Sequence, residues 1–103
     1  MPEFVKVATV DEIPLGKMKS CEAKHSRVVV CHMSDGFYAL ADECTHDSAP
    51  ISTGRVRGEE VVCPRHGAKF DVRTGAVTGP PAIVGIDTFE VKVEGNDIFV
   101  LLD

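Results

Sequence analysis

No apolar run in the 103-residue chain approaches the roughly 20 residues that cross a bilayer, so no membrane anchor is expected. The first residues, Met-Pro-Glu-Phe-Val-Lys-Val, lack a basic stretch followed by an apolar one. A secretory signal is therefore not expected, and the cytoplasm is the expected compartment. Basic residues are in the minority, 11 Lys and Arg against 16 Asp and Glu, for a formal net charge of −5. Nucleic-acid binding, which needs clustered Lys and Arg, is not expected. A basic protein surface is the better match for such a chain. No segment holds a 3.6-residue apolar period for ten residues, which argues against a helical protein. There is no internal repeat, linker or low-complexity tract, and the length leaves no room for a second domain.

What remains is globular in balance, with 44 % hydrophobic and 26 % charged residues. Nine glycines and six prolines punctuate short runs of Val, Ile and Phe. This pattern predicts an all-β chain with turns at close intervals. Strands are expected at Phe4–Val7, Met18–Glu22, Arg27–Met33, Phe37–Ala41, Glu60–Cys63, Lys69–Val72, Phe89–Val93 and Ile98–Leu102. Ser34-Asp35-Gly36 and Glu94-Gly95-Asn96-Asp97 read as hairpin turns, and Val10–Pro14 as one tight turn that Pro14 stops. From Ala41 to Pro81 the apolar runs shorten and most of the Cys, His, Pro and Gly gather. The single domain, 1–103, is thus expected to be a β-sandwich or barrel base, 1–40 and 82–103, carrying an inserted site-bearing subdomain over about 41–81.

Two clusters in that insert carry chemistry: Cys44-Thr45-His46 and, after sixteen intervening residues, Cys63-Pro64-Arg65-His66-Gly67. Each supplies one thiol and one imidazole. Residues two apart on extended backbone point the same way, with Cα atoms about 6–7 Å apart, so Cys44 and His46 can address two neighbouring metal ions. Residues three apart need a bend, which Pro64 and Gly67 favour. If each loop sends its Cys to one metal and its His to the other, one ion is held by two thiolates and the other by two imidazoles. A zinc site would use the same atoms, although zinc loops usually open with two cysteines two to four residues apart, and C-x-H is short for chelating a single tetrahedral ion. Cytoplasmic cysteines are in either case more often thiols or ligands than disulfides.

The C-x-H and C-x-x-H pair resembles the signature of the Rieske family. The Gly79-Pro80-Pro81 segment resembles that family's proline loop, which covers the cluster. The resemblance implies a Rieske-like all-β fold and one 2Fe–2S cluster, with Cys44 and Cys63 on one iron and His46 and His66 on the other. Respiratory members of the family carry two further cysteines that form a disulfide; Ala49 and Arg65 stand at those positions. They also carry a serine where this chain has Ala68. The chain therefore resembles the soluble Rieske-type ferredoxins of bacterial ring-hydroxylating oxygenase systems. This implies a one-electron carrier, not an enzyme in itself, with a reductase and a terminal non-haem iron oxygenase as partners. A monomer or weak oligomer is expected. The other readings are the small subunit of an assimilatory nitrite reductase and a zinc-binding interaction module.

The remaining candidates have plainer expectations. Cys21 and Cys31 lie on expected strands and read as small core residues. His25 reads as a turn residue and His32 as a strand residue. Asp42, Glu43, Asp47, Arg55, Arg57 and Arg73 read mostly as solvated charges around the insert. Arg65, between two ligand positions, is the charge expected to contact a partner or tune the cluster.

Overall fold

The computed structural model describes residues 2–44, 50–64, 67–80, 82 and 84–103. These residues contain eleven strands: β1 Glu3–Thr9, β2 Met18–Ala23, β3 Ser26–Met33, β4 Gly36–Ala41, β5 Arg55–Arg57, β6 Glu60–Val62, β7 Lys69–Asp71, β8 Val77–Gly79, β9 Thr88–Phe89, β10 Val91–Glu94 and β11 Asp97–Leu102. Two one-turn 3₁₀ helices, Val10–Glu12 and Ile51–Thr53, are the helical elements. No helix among the described residues is long and apolar enough to cross a membrane. The strands form three antiparallel sheets in the orders β1-β11-β10, β2-β3-β4-β9 and β5-β6-β7-β8. The first two sheets take strands from both ends of the chain, and β5 to β8 form a sheet of their own among the described residues.

Strand β3 explains how the three sheets share one molecule. Its Val28-Val29-Val30-Cys31 run is fully buried on both faces, as a central strand between two cores must be. Val28 and Val30 face a core with Ala8, Ile98, Val100 and Leu102 of the β1-β11-β10 sheet. Val29, Cys31 and Met33 face a second core with Val61, Phe70, Val72 and Ile51. The period of two in β-structure thus divides one strand's side chains between the base and the small sheet.

All eight expected strands have a counterpart, with differences at their ends. Phe89–Val93 is broken at Glu90 into β9 and β10, which belong to different sheets. The three-residue strands β5 and β8 had no counterpart in the sequence reading. The expected hairpin turns join β3 to β4 and β10 to β11, with Gly36 at φ 141° and Gly95 at φ 60°. The Val10 turn ends at Ile13, ahead of Pro14, and is closed by Glu12 Oε1, which accepts from the Thr9 amide at 2.7 Å.

Candidate metal centre

Both candidate cysteines stand just beyond a strand end. Cys44 follows β4 by three residues and is fully buried; Cys63 follows β6 directly and is 1 % exposed. They lie in the same apolar cluster, with Ile51, Ala68, Phe70, Ala82 and Ile86. After Cys63 the chain turns back at once, because its amide donates to the Ala68 carbonyl at 2.7 Å. Pro64 opens that turn, and Gly67 holds φ at 72°, a left-handed angle that favours glycine.

A second close approach lies beyond the first loop, at Gly54. A Cβ at Gly54 would collide with the Val62 carbonyl and stand 3.1 Å from Pro64 Cδ. The segment after the first loop therefore lies directly against the backbone that leads into and out of Cys63. Arg55 borders the same recess as Cys63, Pro64 and Gly67.

Asp42 closes the first loop. It was expected among the solvated charges, yet it is 4 % exposed, the buried charged residue of the described chain. Its Oδ1 accepts from the Ser52 amide at 2.7 Å, and its Oδ2 accepts from the Ser52 and Ser20 hydroxyls, each at 2.7 Å. One carboxylate thus ties the residues before Cys44 to the 3₁₀ turn beyond the loop and to β2. Three charge-assisted bonds offset the cost of its burial.

His46 and His66 lie outside the described residues, as do Asp47, Ala49, Arg65 and Pro81. Among the described residues, no group of three or more His, Cys, Asp and Glu gathers about a point. Pro80 is exposed, whereas Ala82 is buried against the cysteine cluster. The descent after the proline segment is fixed by the Ile86 amide donating to the Gly75 carbonyl at 2.8 Å. Gly75 at φ 77° and Gly85 allow that approach, since a Cβ at Gly85 would stand 2.8 Å from the Gly75 oxygen.

Cys21 and Cys31 are buried strand residues in the two cores. Burial, with the negative Asp42 as a second cause, pushes the Cys31 thiol up to about 12, and burial raises Cys21 too. Both stay protonated and unreactive at neutral pH. His32 stacks on Phe37 at 4.1 Å, and its Nδ1–H donates to the Ile13 carbonyl at 2.7 Å. His25 is exposed in the β2–β3 turn.

Over residues 3–100 the chain matches the model of the Rieske [2Fe-2S] domain. It belongs to this family. It is 36 % identical over 100 residues to the biphenyl 2,3-dioxygenase ferredoxin component of Rhodococcus jostii, covering 97 % of this chain and 94 % of that one. Among solved structures it is similar to the ferredoxin of carbazole 1,9a-dioxygenase from Nocardioides aromaticivorans, at 34 % identity and TM-score 0.89, over 94 % and 95 % of the two chains. It is also similar to a chain in a complex of reduced oxygenase and oxidised ferredoxin of carbazole 1,9a-dioxygenase, at 32 % identity and TM-score 0.88, over 94 % and 91 %. A nitrite reductase small subunit shares the fold, at 24 % identity and TM-score 0.82. A Rieske domain of this kind carries one 2Fe–2S cluster as its cofactor. Two cysteines buried in one apolar cluster, each followed in sequence by a histidine two or three residues on, are a donor set that fits that group.

Proposed function

We propose that this protein is a one-electron carrier that takes electrons from a reductase and delivers them to a non-haem iron oxygenase. It would work in the cytoplasm as a monomer or weak oligomer. When bound, a Rieske-type cluster supplies one-electron chemistry at a potential above that of all-cysteine clusters, because two neutral imidazoles replace two thiolates. Cys44 and Cys63 would hold one iron, and His46 and His66 the other. The insert over about 41–81 is the cluster-binding subdomain on a β base, 1–40 and 82–103.

The observation that carries this reading is the burial of two cysteines in one apolar cluster, in a chain similar, along almost its full length, to ferredoxin components of dioxygenase systems. The chain's own residues position and shield the site. Asp42 and Gly54 hold the segments that flank the first loop, the Cys63–Ala68 hydrogen bond joins the two sides of the second, and Ala68, Ala82 and Ile86 pack in the apolar cluster with the two cysteines. The proposed ligand set is closed, with no position left open for a substrate, which suits electron transfer and not catalysis.

The test is an absorption and EPR spectrum of the purified chain before and after reduction. The expected result is a red-brown protein that bleaches on reduction and gains a paramagnetic signal. A colourless protein containing zinc would overturn it.

A further inference from the structure

The buried Asp42 carboxylate pairs with no cation among the described residues. Arg27 borders the same recess, yet the two do not form an ion pair. The groups that address the carboxylate are the Ser52 amide and the Ser52 and Ser20 hydroxyls. Three donors on two oxygens is what an ionised carboxylate accepts. The backbone is held on both sides as well. The Asp42 amide donates to the Arg27 carbonyl at 3.1 Å, and the Glu43 amide donates back to the Ala41 carbonyl at 2.8 Å. Asp42 sits at the centre of that three-residue turn, so its charge is fixed in place.

That place is close to the cysteines. Cys44 lies two residues on, with its Cα no more than about 7 Å from that of Asp42. Beyond the first loop the same carboxylate holds Ser52, whose neighbour Ile51 is fully buried in one cluster with Cys44 and Cys63. Cys31 belongs to that cluster too, and the Asp42 charge is the second cause of its raised thiol, after burial. The field of the carboxylate therefore reaches the apolar interior that both candidate ligands share. Glu43 is one residue nearer to Cys44 in sequence but exposed, so water screens its charge.

We propose that Asp42 is a positioning residue of the metal centre whose fixed negative charge holds the reduction potential of the cluster down. This rests on the carrier reading above. One-electron reduction adds a negative charge to the site, and a buried carboxylate nearby opposes it. At an effective dielectric constant of about 20, a unit charge about 10 Å away changes a one-electron equilibrium by about tenfold. Asp42→Asn separates charge from position. Its amide oxygen still accepts from the Ser52 amide, and its NH2 group donates to hydroxyl oxygens that accepted nothing from the carboxylate.

The test is a redox titration of the loaded protein followed by absorption, with iron and sulfide content measured on the same samples. At one solution potential, Asp42→Asn should raise the ratio of reduced to oxidised protein about tenfold, a midpoint about 59 mV higher. Glu43→Gln, which changes net charge equally, should move that ratio by less than about twofold. Ser20→Ala with Ser52→Ala strips two donor dipoles from a carboxylate that keeps its charge, and should lower the ratio. A purely structural role would move the Asp42 and the serine variants in the same direction. An unchanged ratio in Asp42→Asn, an equal change in Glu43→Gln, or shifts of one sign in the Asp42 and serine variants overturns the proposal. If Asp42→Asn takes up no cluster, the serine variant decides: a lower ratio than wild type supports the proposal, and an equal or higher one overturns it. Loss of iron and sulfide from both makes Asp42 a fastening residue alone and also overturns it. A wild-type chain with no reversible couple overturns the carrier reading and this proposal with it; a reversible couple that ignores Asp42→Asn overturns this proposal alone.

Discussion

At the residue scale, Asp42 does more than either ligand loop could do alone. Its three hydrogen bonds join β2, the approach to Cys44 and the 3₁₀ turn after the loop. Asp42→Ala leaves the Ser52 amide without its acceptor and should cost about 3 kcal/mol, read from the urea unfolding midpoint. Asp42→Asn keeps one acceptor and should cost less. Equal stability of the alanine variant and wild type would remove the clasp from this account. Asp42 was not legible in the sequence because a buried carboxylate looks the same as an exposed one; only the positions of Ser20 and Ser52 reveal it. Cys44 and Cys63 stood out as candidates in the sequence because the spacing of Cys and His has few other uses, and the structure buries both in one apolar cluster. Ala68 bears on the reduction potential. It is fully buried beside the cysteines and offers no hydroxyl. Together with Ala49 and Arg65, which exclude the disulfide of the respiratory members, it should place the midpoint in the lower part of the roughly −150 to +300 mV Rieske range. Protein-film voltammetry measures this, and a value near the upper end would contradict it.

At the element scale, two turns carry predictions. Lys24 and His25 form the β2–β3 turn with φ of 49° and 67°, the left-handed region that costs a side chain about 1 kcal/mol. His25→Gly should relieve most of that and raise the melting temperature by a few degrees; a lower melting temperature would show that His25 is held by something other than backbone preference. No glycine marked this turn in the sequence, so its geometry was hidden. Strands β5 and β8 were hidden for another reason: three residues are too few to show an alternation. The second turn is the Asp35 tip of the β3–β4 hairpin. Arg73 donates to Asp35 at 2.9 Å, also pairs with Glu59, and lies 5.2 Å from the Tyr38 ring. The Arg73 guanidinium, followed by the Tyr38 hydroxyl, holds the Asp35 carboxyl below its ordinary 3.8. A carboxyl lowered in the folded state adds stability that is present above its unfolded value. That stability is lost as pH falls through the lower folded value. Asp35→Asn should therefore narrow the gap between melting temperatures at pH 6 and pH 2.5. An unchanged gap would mean that the pair is screened by solvent.

At the scale of the whole molecule, the small sheet and the base share a core. Val29, Cys31 and Leu40 of the base pack in one cluster with Val61, Phe70 and both candidate ligand cysteines. Losing the metal site should therefore loosen the ligand loops first, and the strands held by that shared core least. Hydrogen exchange on Cys63→Ser should show faster exchange around residues 43–54 and 63–68, with β1 to β4 and β11 still protected. Uniform exchange across the chain would instead mean that the cluster holds the whole fold. The change of punctuation at Ala41 was visible in the sequence, and the β5–β8 sheet lies beyond it. The shared core could not, because the Val28–Cys31 run does not reveal that its alternate residues face two different layers.

The central claim is that two cysteines and two histidines of these loops divide one cluster between them. Pulsed EPR of the reduced protein, grown with 15N-histidine, tests it most directly. The account predicts two histidine nitrogens strongly coupled to the paramagnetic centre, one lost in His46→Cys and the other in His66→Cys. A reduced signal with no histidine nitrogen coupling, or coupling unchanged in both variants, would contradict it.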